Sequence, residues 1–137
     1  MSSSSPFVVS PRSANQLAIP EAWHALRETA LRREVDGDWR ITLLLAMPDH
    51  WHGLCAFPSK PMRKVIGDLK SWLARSHGIR WQQDFFDHRL RSWESAAEKR
   101  RYILNNPLRA GLIENGEAWP SVLDQLAEPG REVPRTP

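Results

Sequence analysis

The stretch that decides the fold is RITLLLAMPDHWHGLCAF, Arg40–Phe57. Arg40 to Met47 is apolar on both of its alternating faces, Ile41/Leu43/Leu45 on one and Leu44/Ala46 on the other, which is the pattern of a strand buried on both sides. Pro48 and Asp49 interrupt the run and His50 to Phe57 resumes it. The pair therefore reads as a tight antiparallel hairpin, or as one long strand bent at Pro48.

Outward from this hairpin the pattern changes to helical spacing. On the amino-terminal side Pro20 suits a first helical turn and opens Glu21 to Val35, with Trp23, Leu26, Ala30 and Leu31 on one stripe. Asp36-Gly37-Asp38 is a turn signal between that helix and the first strand of the hairpin. Further upstream Phe7 to Ser10 reads as a short strand cut off by Pro11. On the other side Ser59 and Pro61 start a helix carrying Met62, Val65, Ile66, Leu69, Trp72 and Leu73, which ends near Gly78. Phe85 to Leu90 is a further strand. Ser92 caps a last helix from Trp93 to about Asn105, terminated by Pro107.

The resulting order, β, α, β, β, α, β, α, predicts an α+β fold of ferredoxin-like type, a mainly antiparallel sheet covered by helices. At 137 residues the chain suits a single domain. We place that domain at residues 1–127 and a flexible, proline-rich tail at 128–137.

Composition narrows the function classes. Seven tryptophans against one tyrosine and 11 prolines are unusual, but 41% hydrophobic and 26% charged residues describe an ordinary globular chain and argue against disorder throughout. A net charge of +3 is compatible with a polyanionic partner without requiring one. The lone Cys55 lies in an apolar run, which fits a buried thiol in a reducing compartment. No run approaches a membrane span or a leader peptide, so the expectation is a cytoplasmic protein without a membrane partner.

The chemistry-bearing residues fall in three places. In His50-Trp51-His52 a period of two puts both imidazoles on one face of the strand, where two ligands can meet one divalent ion, with Trp51 turned to the other face. Tyr102 lies roughly opposite Trp93 on a wheel of the last helix, whose other stripe is Trp93, Ala96, Ala97, Arg100 and Leu104. Asn106, four residues on, shares the Tyr102 face if the helix lasts that far. Alone, a His-x-His pair is an ordinary strand end and a tyrosine on a polar helix face is an ordinary amphipathic side chain. Together they offer two metal ligands, an amide oxygen and a phenol able to form a covalent phosphodiester intermediate.

Lys60, Arg63, Lys64, Lys70 and Arg75 decorate the second helix and offer either phosphate contacts or a plain solvated face. Arg89 and Arg91 alternate on the fourth strand beside His88, while Lys99, Arg100 and Arg101 gather before Tyr102. Trp81 is the tryptophan best placed to stack an unpaired base. Asp87 could orient a ligand histidine or serve the fold alone.

Four blocks then stand in order: Met47-Pro48-Asp49-His50-Trp51-His52, Trp81-Gln82, Phe86-Asp87-His88-Arg89-Leu90-Arg91, and Tyr102-Ile103-Leu104-Asn105-Asn106-Pro107-Leu108-Arg109-Ala110-Gly111-Leu112. From about Arg40 to Trp119 the chain resembles the REP-associated tyrosine transposases, single-tyrosine enzymes of the HUH class. The resemblance implies the HUH-nuclease fold, His50 and His52 as metal ligands, Asn106 completing the metal site, and Tyr102 as nucleophile. The cofactor it implies is a divalent metal, Mg2+ or Mn2+. Such proteins are bacterial and cut single-stranded DNA beside imperfect hairpins of repetitive extragenic palindromes, leaving a 5′-phosphotyrosine and a free 3′-hydroxyl. Single-stranded DNA hairpins are thus the expected partner and the nucleoid the expected place. The DNA-binding candidates are Arg63, Lys64, Arg89, Arg91, Lys99, Arg101 and Trp81. The resemblance allows a monomer or a homodimer, since related transposases exchange their tyrosine helices. Two departures stand out, the short first strand and Trp51, bulkier than the common Val or Ile. Two other readings remain: a catalytically inactive hairpin-DNA-binding protein, and a zinc hydrolase using His50, His52 and His88 with a metal-bound water.

Overall fold

A computed structural model describes residues 6–14, 16–90 and 93–125, with the backbone alone at 83–86, 93 and 94. The elements run β1 (Phe7–Ser13), α1 (Pro20–Val35), β2 (Arg40–Met47), β3 (His50–Ala56), α2 (Met62–His77), β4 (Trp81–Arg89), α3 (Trp93–Leu104), α4 (Asn106–Arg109) and β5 (Val122–Asp124). The five strands form one sheet in the order β4-β1-β3-β2-β5, and every pairing is antiparallel. The first four strands make the two interleaved split β-α-β units of a ferredoxin-like fold, as expected from the element order. Residues 126–137, which include the predicted tail, and Arg91 lie outside the described residues. Among the described residues no helix is long and apolar enough to cross a membrane.

The deciding stretch is a hairpin, not a bent strand. Met47 pairs with His50 across the two-residue turn Pro48-Asp49. Proline presets the backbone angle a turn needs at that position. The loop after β1 clasps the turn, because Ser13 N–H donates to Asp49 O at 2.9 Å and Leu17 N–H to Pro48 O at 2.8 Å.

The two apolar faces of β2 serve two separate cores. Ile41, Leu44 and Ala46 join Val9, Trp23, Leu26, Trp39, Trp51 and Cys55 under α1 and α2. Leu43, Leu45 and Met47 join Val8, Leu54, Ala96 and Ile103 under α3. A register shift between Ile41 and Leu43 moves Ile41 to the Leu44/Ala46 face, which corrects the simple alternation read from the sequence. Trp39 and Trp51 meet edge to face at 6.2 Å, and the Trp39 indole donates to Ala30 O, tying α1 to the sheet.

Three further corrections concern element limits. β1 runs past Pro11 to Ser13 and occupies an interior place between β4 and β3, so it is neither short nor an edge. Pro11 is accommodated by a register irregularity between Pro11 and Ser13. β4 begins at Trp81, four residues before the predicted Phe85. The last helix stops at Leu104, and a separate turn of helix with Pro107 in its first turn follows as α4.

After α4 the chain returns to the sheet, which the sequence did not foretell. β5 pairs with β2, Ala46 N–H donates to Ser121 O, and the Trp119 indole donates to Ala46 O at 2.9 Å. Both nitrogens on the Arg100 side facing β5 reach the Asp124 carboxylate. The buried stripe of α3 is therefore Ala96 and Ile103, with Arg100 and Leu104 half-buried and Ala97 exposed, contrary to the wheel's inclusion of Ala97.

Candidate metal and nucleophile site

His50 and His52 stand on the sheet face that α3 covers, since their strand neighbour Leu54 belongs to the core under that helix while Trp51 belongs to the opposite one. The period-two expectation for the pair holds. Their rings meet edge to face, with centroids 4.6 Å apart, and the two Nε2 atoms lie 3.0 Å apart. Two imidazole–metal bonds of about 2.1 Å, set near a right angle, require about that separation.

The other ring nitrogens are engaged from behind. His50 Nδ1 lies 2.7 Å from Asp49 Oδ1, and His52 Nδ1 lies 2.9 Å from Ser10 Oγ. A carboxylate only accepts, so His50 Nδ1 carries the proton and its Nε2 presents a lone pair. Ser10 serves either state of His52. Its hydroxyl donates when His52 Nε2–H bonds to His50, and accepts when both Nε2 lone pairs face a cation. The bond to His50 holds the Asp49 carboxyl below the usual carboxylate range, helped by the charge of Arg12, whose guanidinium lies 3.2 Å away. Burial, followed by the charges of His50, Arg12 and Arg109, pushes His52 down to about 4, so this ring is neutral near pH 7 as a ligand must be.

Tyr102 stands on the outer side of α3, 55% exposed. Two cations contact its ring: Arg109 Cζ at 4.0 Å and Lys99 Nζ at 5.4 Å from the centroid. The last helix stops at Leu104 and Asn106 opens α4, so the condition set by the sequence, a helix lasting as far as Asn106, is not met. Arg109 bridges the gap, donating to Asn106 Oδ1 at 2.6 Å and to Tyr102 O at 3.3 Å. Asn106 Nδ2 is buried without a partner among the described residues.

The remaining candidates separate by face. Lys99 and Arg101 lie on the Tyr102 helix. Arg63 and Lys64 lie on α2, across the sheet from the histidines, where Lys64 pairs with Asp68. Lys60 is committed to Asp38 and Lys70 to Gln82 O. Arg89 pairs with Phe7 and stacks over its ring at 4.9 Å, also on the α1/α2 side. Trp81 packs against that same core, its indole donating to Lys70 O, so it stands away from the histidine face. Asp87 pairs with Val9 and falls on that far side too, whereas Asp49 is the carboxylate in contact with His50. His88 shares the histidine face but sits beyond β1, and among the described residues no group of three His, Cys, Asp or Glu could hold a metal. Burial pushes the Cys55 thiol up, consistent with an inert core residue.

Sequence reading missed Asp49, Ser10, Arg12 and Arg109. Asp49 had a signal, being adjacent to His50 in a turn. Ser10 and Arg12 come from β1, 42 and 37 positions from His52 and Asp49, and had none.

Superposition decides the fold. The chain aligns with the structure of a REP-associated tyrosine transposase bound to a REP hairpin, with a TM-score of 0.71 at 19% identity over 82% of this chain and 76% of that one. The fold is that of a REP-associated tyrosine transposase. The chain is also similar in sequence to the REP-associated tyrosine transposase of Escherichia coli (strain K12), 21% identical over 118 residues, covering 83% of this chain and 72% of the relative. No protein-family model matches the chain.

Proposed function

We propose that this protein is a metal-dependent, single-tyrosine HUH DNA transposase or nuclease that cleaves and rejoins single-stranded DNA next to REP-type hairpins. The observation that carries the reading is the convergence of the His50 and His52 Nε2 atoms on the sheet face under the helix that bears Tyr102. Similarity to a REP-associated tyrosine transposase, and to one bound to a REP hairpin, supports the choice of substrate.

His50 and His52 would hold Mg2+ or Mn2+, with the Asn106 amide oxygen as the third protein ligand. The chemistry such an ion would supply there is polarisation of a non-bridging phosphate oxygen. This chain's own residues do the rest. Asp49 and Ser10 hold the imidazoles in place. The Tyr102 phenol gives up its proton and its oxygen bonds to phosphorus. The P–O3′ bond breaks, its electron pair stays on O3′, and O3′ takes up a proton. The products are a 5′-phosphotyrosine and a free 3′-hydroxyl, and the reverse attack rejoins a strand. Lys99 and Arg101 lie where they can meet phosphates beside the cut. Every residue in this reading belongs to one chain, which is compatible with a monomer or a homodimer, and a DNA substrate would put the protein at the nucleoid.

The test incubates the protein with a labelled DNA hairpin bearing a single-stranded flank and Mn2+ or Mg2+, followed by denaturing electrophoresis. A shifted, protease-sensitive adduct is expected with the wild type and none with Tyr102→Phe, whose hairpin binding is retained. Hairpin binding without adduct across varied flanks and both metals would instead assign a catalytically inactive binder.

A further inference from the structure

Tyr102 is more than half exposed, and a long aromatic side chain on a helix surface samples several rotamers unless something holds it. Asn106 belongs to a separate short helix, which starts after an interruption at Asn105 and has Pro107, a residue without an N–H, in its first turn. One side chain links the two residues. The Arg109 guanidinium lies over the Tyr102 ring with its Cζ 4.0 Å from the centroid, donates through one terminal nitrogen to Tyr102 O, and through the other to Asn106 Oδ1 at 2.6 Å.

We infer that Arg109 is a positioning residue for the proposed nucleophile, holding the Tyr102 ring and the Asn106 amide in fixed relation. Two simultaneous hydrogen bonds fix the plane of the guanidinium, and a fixed plane fixes the ring stacked on it. A lysine ammonium has neither the fork nor the plane, so it keeps the charge and loses the function. The three-residue spacing of Asn106 and Arg109 brings them together on α4, and the seven-residue spacing from Tyr102 spans the break. Fixing a nucleophile is worth as much as a chemical group, because a misplacement of about 1 Å costs about a hundredfold in rate.

The inference rests on Tyr102 being the nucleophile, and its test separates the two. Tyr102 is the only tyrosine in the chain. Ring-labelled tyrosine therefore gives one set of NMR signals, readable in the full chain without assignment of anything else. Wild type is expected to show Tyr102 ring contacts to the Arg109 side chain, which Arg109→Lys and Arg109→Ala both abolish with unchanged urea midpoints. With hairpin DNA and Mn2+, both variants should lose about a hundredfold in single-turnover adduct formation while hairpin Kd stays within about twofold. A wild-type ring without contacts to Arg109, Arg109→Lys at wild-type rate, or a loss confined to Kd each overturns the inference. If wild type forms no adduct, the proposed function fails, and the NMR comparison alone still decides whether Arg109 fixes the ring.

Discussion

The indole of Trp51 lies over Gly53, so closely that a Cβ on Gly53 would stand 2.7 Å from the Trp51 ring and 3.2 Å from Val9 Cγ2. The two residues flank His52 and share the face opposite to it. Gly53 is what admits so large a residue between the histidines. Gly53→Ala is expected to destabilise the protein by about 1–3 kcal/mol through overpacking, measured by urea unfolding. Trp51→Val combined with Gly53→Ala should recover part of that loss, since the smaller residue vacates the contested space. Strictly additive losses in the double variant would show that the clash is not what limits this position.

The low His52 value gives a pH dependence with a definite sign. Its folded value, about 4, lies below the unfolded 6.5, so protonation favours the unfolded chain. The metal-free protein is expected to hold its full His52-related stability above pH 6.5 and to lose it as pH falls toward 4. By pH 5 the loss relative to alkaline pH is about 2 kcal/mol, at about 1.36 kcal/mol per pH unit. The measurement compares urea unfolding of wild type and His52→Gln across that window. Parallel curves for the two would contradict the assignment.

Asp49 and Ser10 touch the histidines from behind, at 2.7 and 2.9 Å. Loss of such an orienting partner costs about 10–100-fold in metal affinity. Ser10→Ala and Asp49→Asn should each weaken Mn2+ binding by that order in calorimetry, while Asp87→Asn leaves it unchanged. An Asp87→Asn effect equal to that of Asp49→Asn would move the orienting carboxylate to β4.

Cations on the two sides of the sheet should behave differently toward DNA. Lys99→Ala and Arg101→Ala, on the Tyr102 helix, are each expected to lower the salt slope of hairpin binding by about 0.7–0.9. Arg63→Ala and Lys64→Ala, on α2, should leave it unaltered. Anisotropy titrations over a range of salt concentrations read the slope directly, and the opposite ranking would place the DNA against α2.

What could be read from the chain alone follows physical range. The β2–β3 hairpin, α1 and α2 were legible because their signals are local: a double-sided apolar run, a two-residue turn, a proline start and Gly78 at a left-handed helix end with φ 68°. The shared face of His50 and His52 was legible for the same reason. β5 was not, because Val122–Asp124 is three residues long and becomes a strand only by pairing with β2. Ser10 was not, because its meeting with His52 depends on the β1–β3 register. A shared face for Tyr102 and Asn106 depended on how far the last helix runs; Pro107 starts a new turn instead of merely ending the old one, and the Arg109 side chain bridges the two residues. The placement of Arg63, Lys64, Arg89 and Trp81 across the sheet required knowing which face each helix covers.

β5 has one more consequence. The Tyr102 helix enters from one edge strand of the sheet, β4, and its continuation is stitched to the other edge, with Arg100 clamped on Asp124. Handing this helix to a second subunit would mean unzipping a strand and breaking a charged clasp, not merely straightening a loop. The architecture thus anchors the helix that carries Tyr102 to the sheet of its own subunit.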